Sequence, residues 1–176
     1  MIGTLAFRAP EPLRPEHDLQ DFSNERHPAL DDWLKDRARG SEGLSARTYV
    51  VCAAAPPEQV VGYYAIATAT AHRVGLPSAK LRRGMPEEVP LLLIGRLAVD
   101  RNFQGRGLGS ALLVDALQRC AAAARIAGVR GVLAHAIDQE AVNFYARHGF
   151  IAAPPLGERT MLMPIEILLA TFADQA

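Results

Sequence analysis

Between Arg101 and Ser110 the chain reads Arg-Asn-Phe-Gln-Gly-Arg-Gly-Leu-Gly-Ser, with glycine at 105, 107 and 109 just ahead of a long apolar stretch. Successive backbone N–H groups in such a loop can point at one anion, and a helix starting behind it adds favourable potential at its N-terminus. Glycines also let a pyrophosphate approach the backbone. Other glycine motifs fail on spacing. Ser110 stands where a dinucleotide fingerprint begun at Gly105 needs its third glycine, and no Gly-Lys-Ser/Thr follows for a P-loop. Ser110 is not the centre of a Gly-x-Ser-x-Gly nucleophile elbow either, because Leu108 and Leu112 occupy the flanking sites. What remains is Gln104-x-x-Gly107-x-Gly109. No metal is expected, since His17, His27, His72, His135 and His148 show no ligand spacing.

The elements around this loop follow from periodicity. Thr4 to Phe7 is a first strand candidate, and Pro10, Pro12 and Pro15 force an extended segment after it. Pro28 suits the first turn of a helix through Arg39 that Gly40 stops, with Leu30, Trp33, Leu34 and Arg37 at three- and four-residue spacing and Trp33 in the core. Thr48 to Ala54 and Gln59 to Ala69 form a hairpin about Pro56-Pro57-Glu58. His72 to Pro90 carries Gly75, Pro77, Gly84, Pro86 and Pro90 and reads as a long loop with at most a short helix, a place where function often sits. Leu91 to Val99 reads as a central strand buried on both faces, interrupted by Gly95 and Arg96. Leu108 to Ile126 is a helix with Leu113, Leu117, Cys120 and Ala124 as its apolar stripe and Asp115, Gln118, Arg119 and Arg125 opposite. A strand from Gly131 to Ala136, a helix from Gln139 to His148 capped by Asp138 and ended by Gly149, and a hairpin of Phe150 to Ala153 with Thr160 to Ile165 complete the order.

Composition bounds the possibilities. At 176 residues, 49% hydrophobic and 22% charged, the chain is expected to be a single globular domain, residues 1–176. Nineteen basic residues balance nineteen acidic ones, which excludes a globally basic nucleic-acid binder but not a local basic patch. Arg outnumbers Lys, whose only members are Lys35 and Lys80. Cys52 and Cys120, far apart in apolar surroundings, read as buried thiols in a reducing compartment. With no signal-peptide pattern at the start and no long apolar run, a cytoplasmic protein that does not engage a membrane is expected.

The pattern Gln104-x-x-Gly107-x-Gly109, preceded by Leu97-Ala98-Val99 and set between strand and helix, resembles the acetyl-CoA signature of the GNAT N-acetyltransferase superfamily. Gly95 to Asp100, Asn143-Phe144-Tyr145-Ala146-Arg147-His148-Gly149-Phe150, Thr160 to Met163, Pro28 to Leu34, Arg47 to Cys52 and Val61 to Tyr64 are similar to the GNAT-type toxins of bacterial toxin–antitoxin pairs. Ser23-Asn24-Glu25-Arg26 departs from them, because many relatives carry a Cys-Gly-Asn-like turn there. The resemblance implies an α/β fold of the GNAT type: a mixed central sheet of six to seven strands with a splayed pair, flanked by about four helices. It also implies an acetyltransferase acting on the α-amino group of aminoacyl-tRNA, a ribbon-helix-helix antitoxin as partner, and a homodimer.

On that resemblance acetyl-CoA lies against the backbone of Leu97, Ala98 and Val99, with its pyrophosphate on Gln104, Gly105, Arg106, Gly107, Leu108, Gly109 and Ser110. Tyr145 takes the place of the acid that protonates the departing thiolate, a role its phenol can fill because its ordinary pKa is about 10. Many GNAT enzymes carry a Glu on the fourth strand, yet Leu91 to Val99 holds no carboxylate and no His. An α-amine, with a pKa near 8, needs less help losing a proton than a lysine at about 10.4, so the missing base favours an α-amine acceptor. Glu87, Glu88 and His135 stay open as bases, and water can relay the proton. His135 is expected to pack on the sheet. Between His72 and Arg83 lie Arg73, Lys80, Arg82 and Arg83 and no acidic residue, a candidate tRNA contact. Arg37, Arg39 and Arg47 make a second cluster, and Arg96, a charge inside an apolar strand, needs a partner or an anion and is a further candidate for contact with the tRNA end or for bracing the site. Two alternatives remain: a GNAT enzyme for a small amine or a protein N-terminus, and a non-catalytic CoA-binding module.

Overall fold

A computed structural model describes residues 7–175. The strand expected at Thr4 to Phe7 therefore lies outside the described residues except for Phe7, which makes one antiparallel bridge to Ala53. Seven strands, β1 (Glu11–Pro12), β2 (Arg47–Cys52), β3 (Val60–His72), β4 (Glu88–Val99), β5 (Gly131–His135), β6 (Ile151–Ala152) and β7 (Thr160–Pro164), form one mixed sheet in the order β1-β2-β3-β4-β5-β7-β6. Six helices accompany it: α1 (Pro28–Asp36), α2 (Ala38–Ser41), α3 (Ala79–Arg82), α4 (Leu108–Ala124), α5 (Gln139–Arg147) and α6 (Ile165–Thr171). The resemblance implied about four helices and periodicity showed three, because two of the six have only four residues and a third has seven. The chain divides into two compact units, one holding the residues up to Ile66 with Arg96–Ala116, the other Ala67–Gly95 with the residues from Leu117.

In the first unit β1 pairs with β2 and β2 with β3, both antiparallel, with a register shift between Val51 and Cys52. A prolyl residue in β1 is tolerated because it is an edge strand. Leu13, Leu19, Phe22, Leu34, Ala38, Val50, Cys52, Val60, Tyr63 and Ala98 form its core, with Leu30 and Trp33 packed against them. The helix expected to run from Pro28 to Arg39 instead breaks at Arg37, whose φ of −121° leaves the helical region, and Gly40 lies inside α2. Tertiary bonds outweigh the local pattern here: the break carries Ala38 into the core at 0% exposure, and the Arg39 guanidinium donates to the His17 carbonyl at 2.6 Å. Asp115, expected on the polar side of α4 and as half-buried there as Gln118 and Arg119, has a partner on β3. Its carboxylate accepts a hydrogen bond from the buried Tyr64 hydroxyl, which in an apolar setting requires an acceptor.

In the second unit β4 pairs in parallel with β5 over Leu92–Ile94 and Val132–Ala134, and β7 lies antiparallel between β5 and β6. Leu76, Leu81, Val89, Leu91, Leu133, Ala153 and Leu162 form a second core. Arg130, 7% exposed, ties two elements together: its Nε donates to the Leu81 carbonyl of α3 at 3.1 Å and its Nη1 to Glu166 of α6 at 2.9 Å. Glu166 is held below the usual carboxylate range chiefly by that bond. Helix α6, seven residues with Leu168 as its buried member, was not expected. Both cysteines are free and buried, as expected. Among the described residues no helix is long and apolar enough to cross a membrane.

Candidate cofactor and catalytic site

The segment after β4 is a single 3-10 turn (Arg101–Phe103) followed by the glycine loop and then α4. Gly105 and Gly107 adopt φ values of 75° and 80°, in the left-handed region that costs other residues energy. A Cβ at either position would meet nothing within 4 Å, so glycine is required by backbone conformation and the space beside the loop stays open to a ligand. Helix α4 begins immediately behind, with the Ala111 N–H donating to the Gly107 carbonyl at 3.1 Å. The amides of Leu108, Gly109 and Ser110 are first-turn donors without an acceptor inside the helix. An anion seated there receives backbone N–H bonds and the positive end of a 17-residue helix, and a pyrophosphate fits that chemistry.

What fixes this loop is a set of side chains the sequence did not single out as functional. Asp100, 3% exposed, accepts from the Asn102 N–H (2.9 Å) and, through its second oxygen, from the Ser23 N–H (3.0 Å), while the Arg101 N–H donates to the Ser23 carbonyl at 2.8 Å. The available signal was an Asp two residues before Asn, a pattern that turns the backbone upon itself. Gln104, read as a cofactor contact, directs its Nε2 inward, to the carbonyls of Val99 (3.0 Å) and Asn24 (3.1 Å). Asn24 in turn organises the start of α1: its backbone N–H and Nδ2 donate to Asp31, Nδ2 also to the His27 carbonyl, and its Oδ1 accepts from the His27 N–H. Glu25 sits beside it at φ 75°, the one non-glycine residue with positive φ among the described residues.

Leu97, Ala98 and Val99 continue β4 beyond its pairing with β5, with Ala98 buried and its neighbours half-buried. Arg96, which needed a partner, has one: its guanidinium lies 4.5 Å above the Trp33 ring, and Trp33 stacks on Tyr63 with planes 10° apart. Tyr63 is anchored by donating to the Leu30 carbonyl at 2.7 Å, and burial pushes its phenol far up. Arg106 of the loop stands over Phe103 at 5.5 Å.

Tyr145 occupies the fully packed face of α5 at 6% exposure, in edge contact with Phe144 and Phe150. Helix α5 is fixed at its start by Asp138, whose carboxylate accepts from the Ala141 N–H, and ends at Gly149 with φ 93°. Burial pushes the Tyr145 phenol up to about 12, so it keeps its proton at neutral pH. No described residue hydrogen-bonds its hydroxyl, which leaves one donor available to a substrate atom. His135, expected to pack on the sheet, is exposed at the end of β5, its Nδ1 2.9 Å from Thr160 Oγ1.

The basic loop holds one short helix, as expected, α3, which the Ser78 hydroxyl caps through the Leu81 N–H, and a 3-10 turn (Arg73–Gly75) before it. Its four cations separate into two kinds. Arg73 donates to the Met85 carbonyl (2.8 Å) and Arg82 to the Leu76 carbonyl (2.6 Å), closing the loop on itself, whereas Lys80 and Arg83 are exposed.

Glu11, His17 and Cys52 bring ligand-type atoms within 4.8 Å of one another, a cluster that sequence spacing could not show because β1 and β2 assemble it. The donors are committed internally. His17 Nδ1 accepts from the Arg14 N–H at 2.8 Å, so its proton lies on Nε2, 2.9 Å from Glu11, and Arg8 also donates to Glu11. Burial raises the Glu11 carboxyl, but the bonds from His17 and Arg8 outweigh it and hold it at about 2. A metal-binding imidazole uses its second nitrogen as a donor, the opposite of the arrangement here.

Comparison with known proteins bears on this geometry. Residues 45–152 match the acetyltransferase (GNAT) domain. The chain is 41% identical over 149 residues to a tRNA-acetylating toxin of Mycobacterium tuberculosis (strain ATCC 25618 / H37Rv), covering 84% of this chain and 87% of that protein. Among solved structures it is similar to AtaT complexed with acetyl-methionyl-tRNAfMet, at 29% identity and a TM-score of 0.86 over 95% of this chain and 99% of the other. It is also similar to a Tyr-to-Phe mutant of the AtaT toxin bound to the C-terminus of the antitoxin AtaR and acetyl-CoA, at 26% identity and a TM-score of 0.78 over 96% and 99%.

Proposed function

The chain belongs to the GNAT acetyltransferase family, and from that premise we propose that it moves the acetyl group of acetyl-CoA to the α-amino group of an aminoacyl-tRNA, halting translation as the toxin of a toxin–antitoxin pair. The observation that carries this reading is the 41% identity, over 84% of the chain, to a tRNA-acetylating toxin. The loop geometry agrees with it: Gly105 and Gly107 open the backbone to a pyrophosphate at the head of α4. We read residues 1–176 as one such domain, since β3, β4 and α4 each run across the division between the two units.

In the proposed reaction the pantetheine arm lies along Leu97 to Val99, as the family pattern has it, and a backbone N–H near Leu97 polarises the thioester carbonyl. The neutral amine of the aminoacyl group attacks the carbonyl carbon, the C–N bond forms, and the C–S bond breaks. The thiolate takes the Tyr145 proton, the ammonium proton passes to water, and water returns a proton to the Tyr145 phenolate. Tyr145 suits the acid role because its phenol is un-ionised and its hydroxyl has no competing acceptor. No carboxylate or imidazole stands on β4 beyond Glu88, which fits an α-amine that is partly neutral without a base. Lys80 and Arg83 are the cations of the basic loop free to meet tRNA phosphates. Arg96 braces Trp33 and reaches the substrate only by leaving that ring. A ribbon-helix-helix antitoxin and a homodimer complete the proposal.

Incubation with labelled acetyl-CoA and charged tRNA is expected to give N-acetyl-aminoacyl-tRNA; transfer to free amines with none to charged tRNA would overturn the reading. Tyr145→Phe is expected to lower kcat by about 10²–10⁴-fold with acetyl-CoA affinity unchanged, the range typical of a lost general acid. Wild-type turnover should show no alkaline fall assignable to Tyr145 until the pH nears 12, because burial raises its pKa and the donating form persists below that value. Sedimentation at twice the chain mass tests the homodimer.

A further inference from the structure

Gln104 belongs to the glycine loop in sequence, yet its side chain is turned away from the open space beside Gly105 and Gly107. It donates to two carbonyls, one at the end of β4 (Val99, 3.0 Å) and one in the turn before α1 (Asn24, 3.1 Å). From Asn24 the connection is continuous. Asn24 is 5% exposed and bonds to Asp31, itself 8% exposed on the first turn of α1. Two residues further along α1 stands Trp33, held between the Tyr63 ring and the Arg96 guanidinium. Arg96 lies on β4, next to the residues proposed to meet the pantetheine arm. The loop, the turn and α1 thus form one hydrogen-bonded circuit, of which Gln104 is the exposed member.

We propose that Gln104 is a positioning residue that couples acetyl-CoA binding at the glycine loop to α1 and Trp33. This rests on the acetyl-CoA reading of the loop given above. A pyrophosphate drawing the amides of Gly105 to Ser110 onto itself fixes the residue at the loop's start, and Gln104 passes that constraint to the Asn24 carbonyl. The donors matter here. An amide supplies N–H groups to two carbonyls, an arginine can do the same, and a carboxylate of the same shape repels both. Coupling of this kind is reciprocal: whatever acetyl-CoA does to α1, a ligand that fixes α1 does to acetyl-CoA affinity by the same factor.

The chain contains a single tryptophan, so Trp33 emission reports α1 without labelling. Acetyl-CoA would be titrated into the full chain with calorimetry and Trp33 fluorescence read in parallel, for wild type, Gln104→Glu and Gln104→Arg. Wild type is expected to show an emission change that saturates with the calorimetric isotherm. Gln104→Glu should lose that change while still binding acetyl-CoA, and Gln104→Arg should restore it. Far-ultraviolet circular dichroism confirms that each variant is folded, as expected for an exposed loop residue. Absence of calorimetric binding by folded wild type would refute the acetyl-CoA reading itself. Binding by wild type without an emission change, or an emission change retained in Gln104→Glu, would overturn the coupling alone and route any effect through β4 and Arg96.

Discussion

The glycine loop at 104–110 and the basic loop at 73–87 each hold an irregular segment in one conformation, and they do so with opposite materials. In the first, backbone torsions do the work: Gly105 and Gly107 take positive φ, and the groups proposed to bind are main-chain amides at the head of α4. In the second, side chains hold the backbone: Arg73 and Arg82 donate to carbonyls of their own loop, and Arg130 reaches α3 through Leu81. A backbone-built site is tied to glycine and announces itself in sequence. Where side chains do the holding, charge count overstates the binding surface, because a guanidinium satisfied by a carbonyl adds rigidity as well as charge.

The comparison can be broken most sharply at Gly107. A β-branched residue at φ 80° is strained by about 1–3 kcal/mol, so Gly107→Val should weaken acetyl-CoA binding by roughly tenfold or more in calorimetry, with little change in the basic loop's own behaviour. Unchanged affinity would show that the loop's torsions are not what binds. Arg130→Met tests the other half: it leaves the buried Leu81 carbonyl unpaired, and a loss of about 1–3 kcal/mol is expected in denaturant unfolding, with acetyl-CoA affinity retained. Should stability hold, the staple is dispensable and the basic loop is kept in place by its apolar residues alone.

Glu25 provides a control on the glycine argument outside both loops. It bears a side chain at φ 75°, so Glu25→Gly should stabilise the chain by about 1 kcal/mol, read as a higher unfolding midpoint, in the region where many relatives have a glycine-containing turn. A lower midpoint would mean that the Glu25 side chain contributes more than its backbone costs. The smallest effect is expected at Arg83. Its exposed charge should contribute about one phosphate contact, so Arg83→Gln should reduce the slope of log affinity for tRNA against log salt by roughly 0.7–0.9. Arg82→Gln should in addition loosen the loop, since its guanidinium holds the Leu76 carbonyl. Equal behaviour of the two variants would erase the distinction between structural and free cations.

Much of the fold was legible for reasons visible in particular residues. Alternating Val, Tyr and Thr gave β2 and β3, the Leu113–Leu117–Cys120 stripe gave α4, and Asp138 with Gly149 bracketed α5. One miss comes from long-range contacts outweighing a local preference. Ala38 is drawn into the core and breaks the helix that periodicity continued to Arg39. Helix α6 escapes for another reason: seven residues are too few to show a period.

At the site, the types that specify chemistry were fixed by sequence: glycine where φ must be positive, a Tyr on a capped helix, and no carboxylate on the central part of β4. Those features are local, because backbone torsion and side-chain pKa class belong to single residues. Tertiary structure decided what each residue is used for. Gln104 braces the loop instead of facing the ligand space, Arg96 rests on Trp33, Arg73 and Arg82 hold carbonyls, and His17 joins Glu11 and Cys52 across β1 and β2. A donor's partner is whichever acceptor the fold brings within about 3 Å, and that proximity is a property of the packed chain alone.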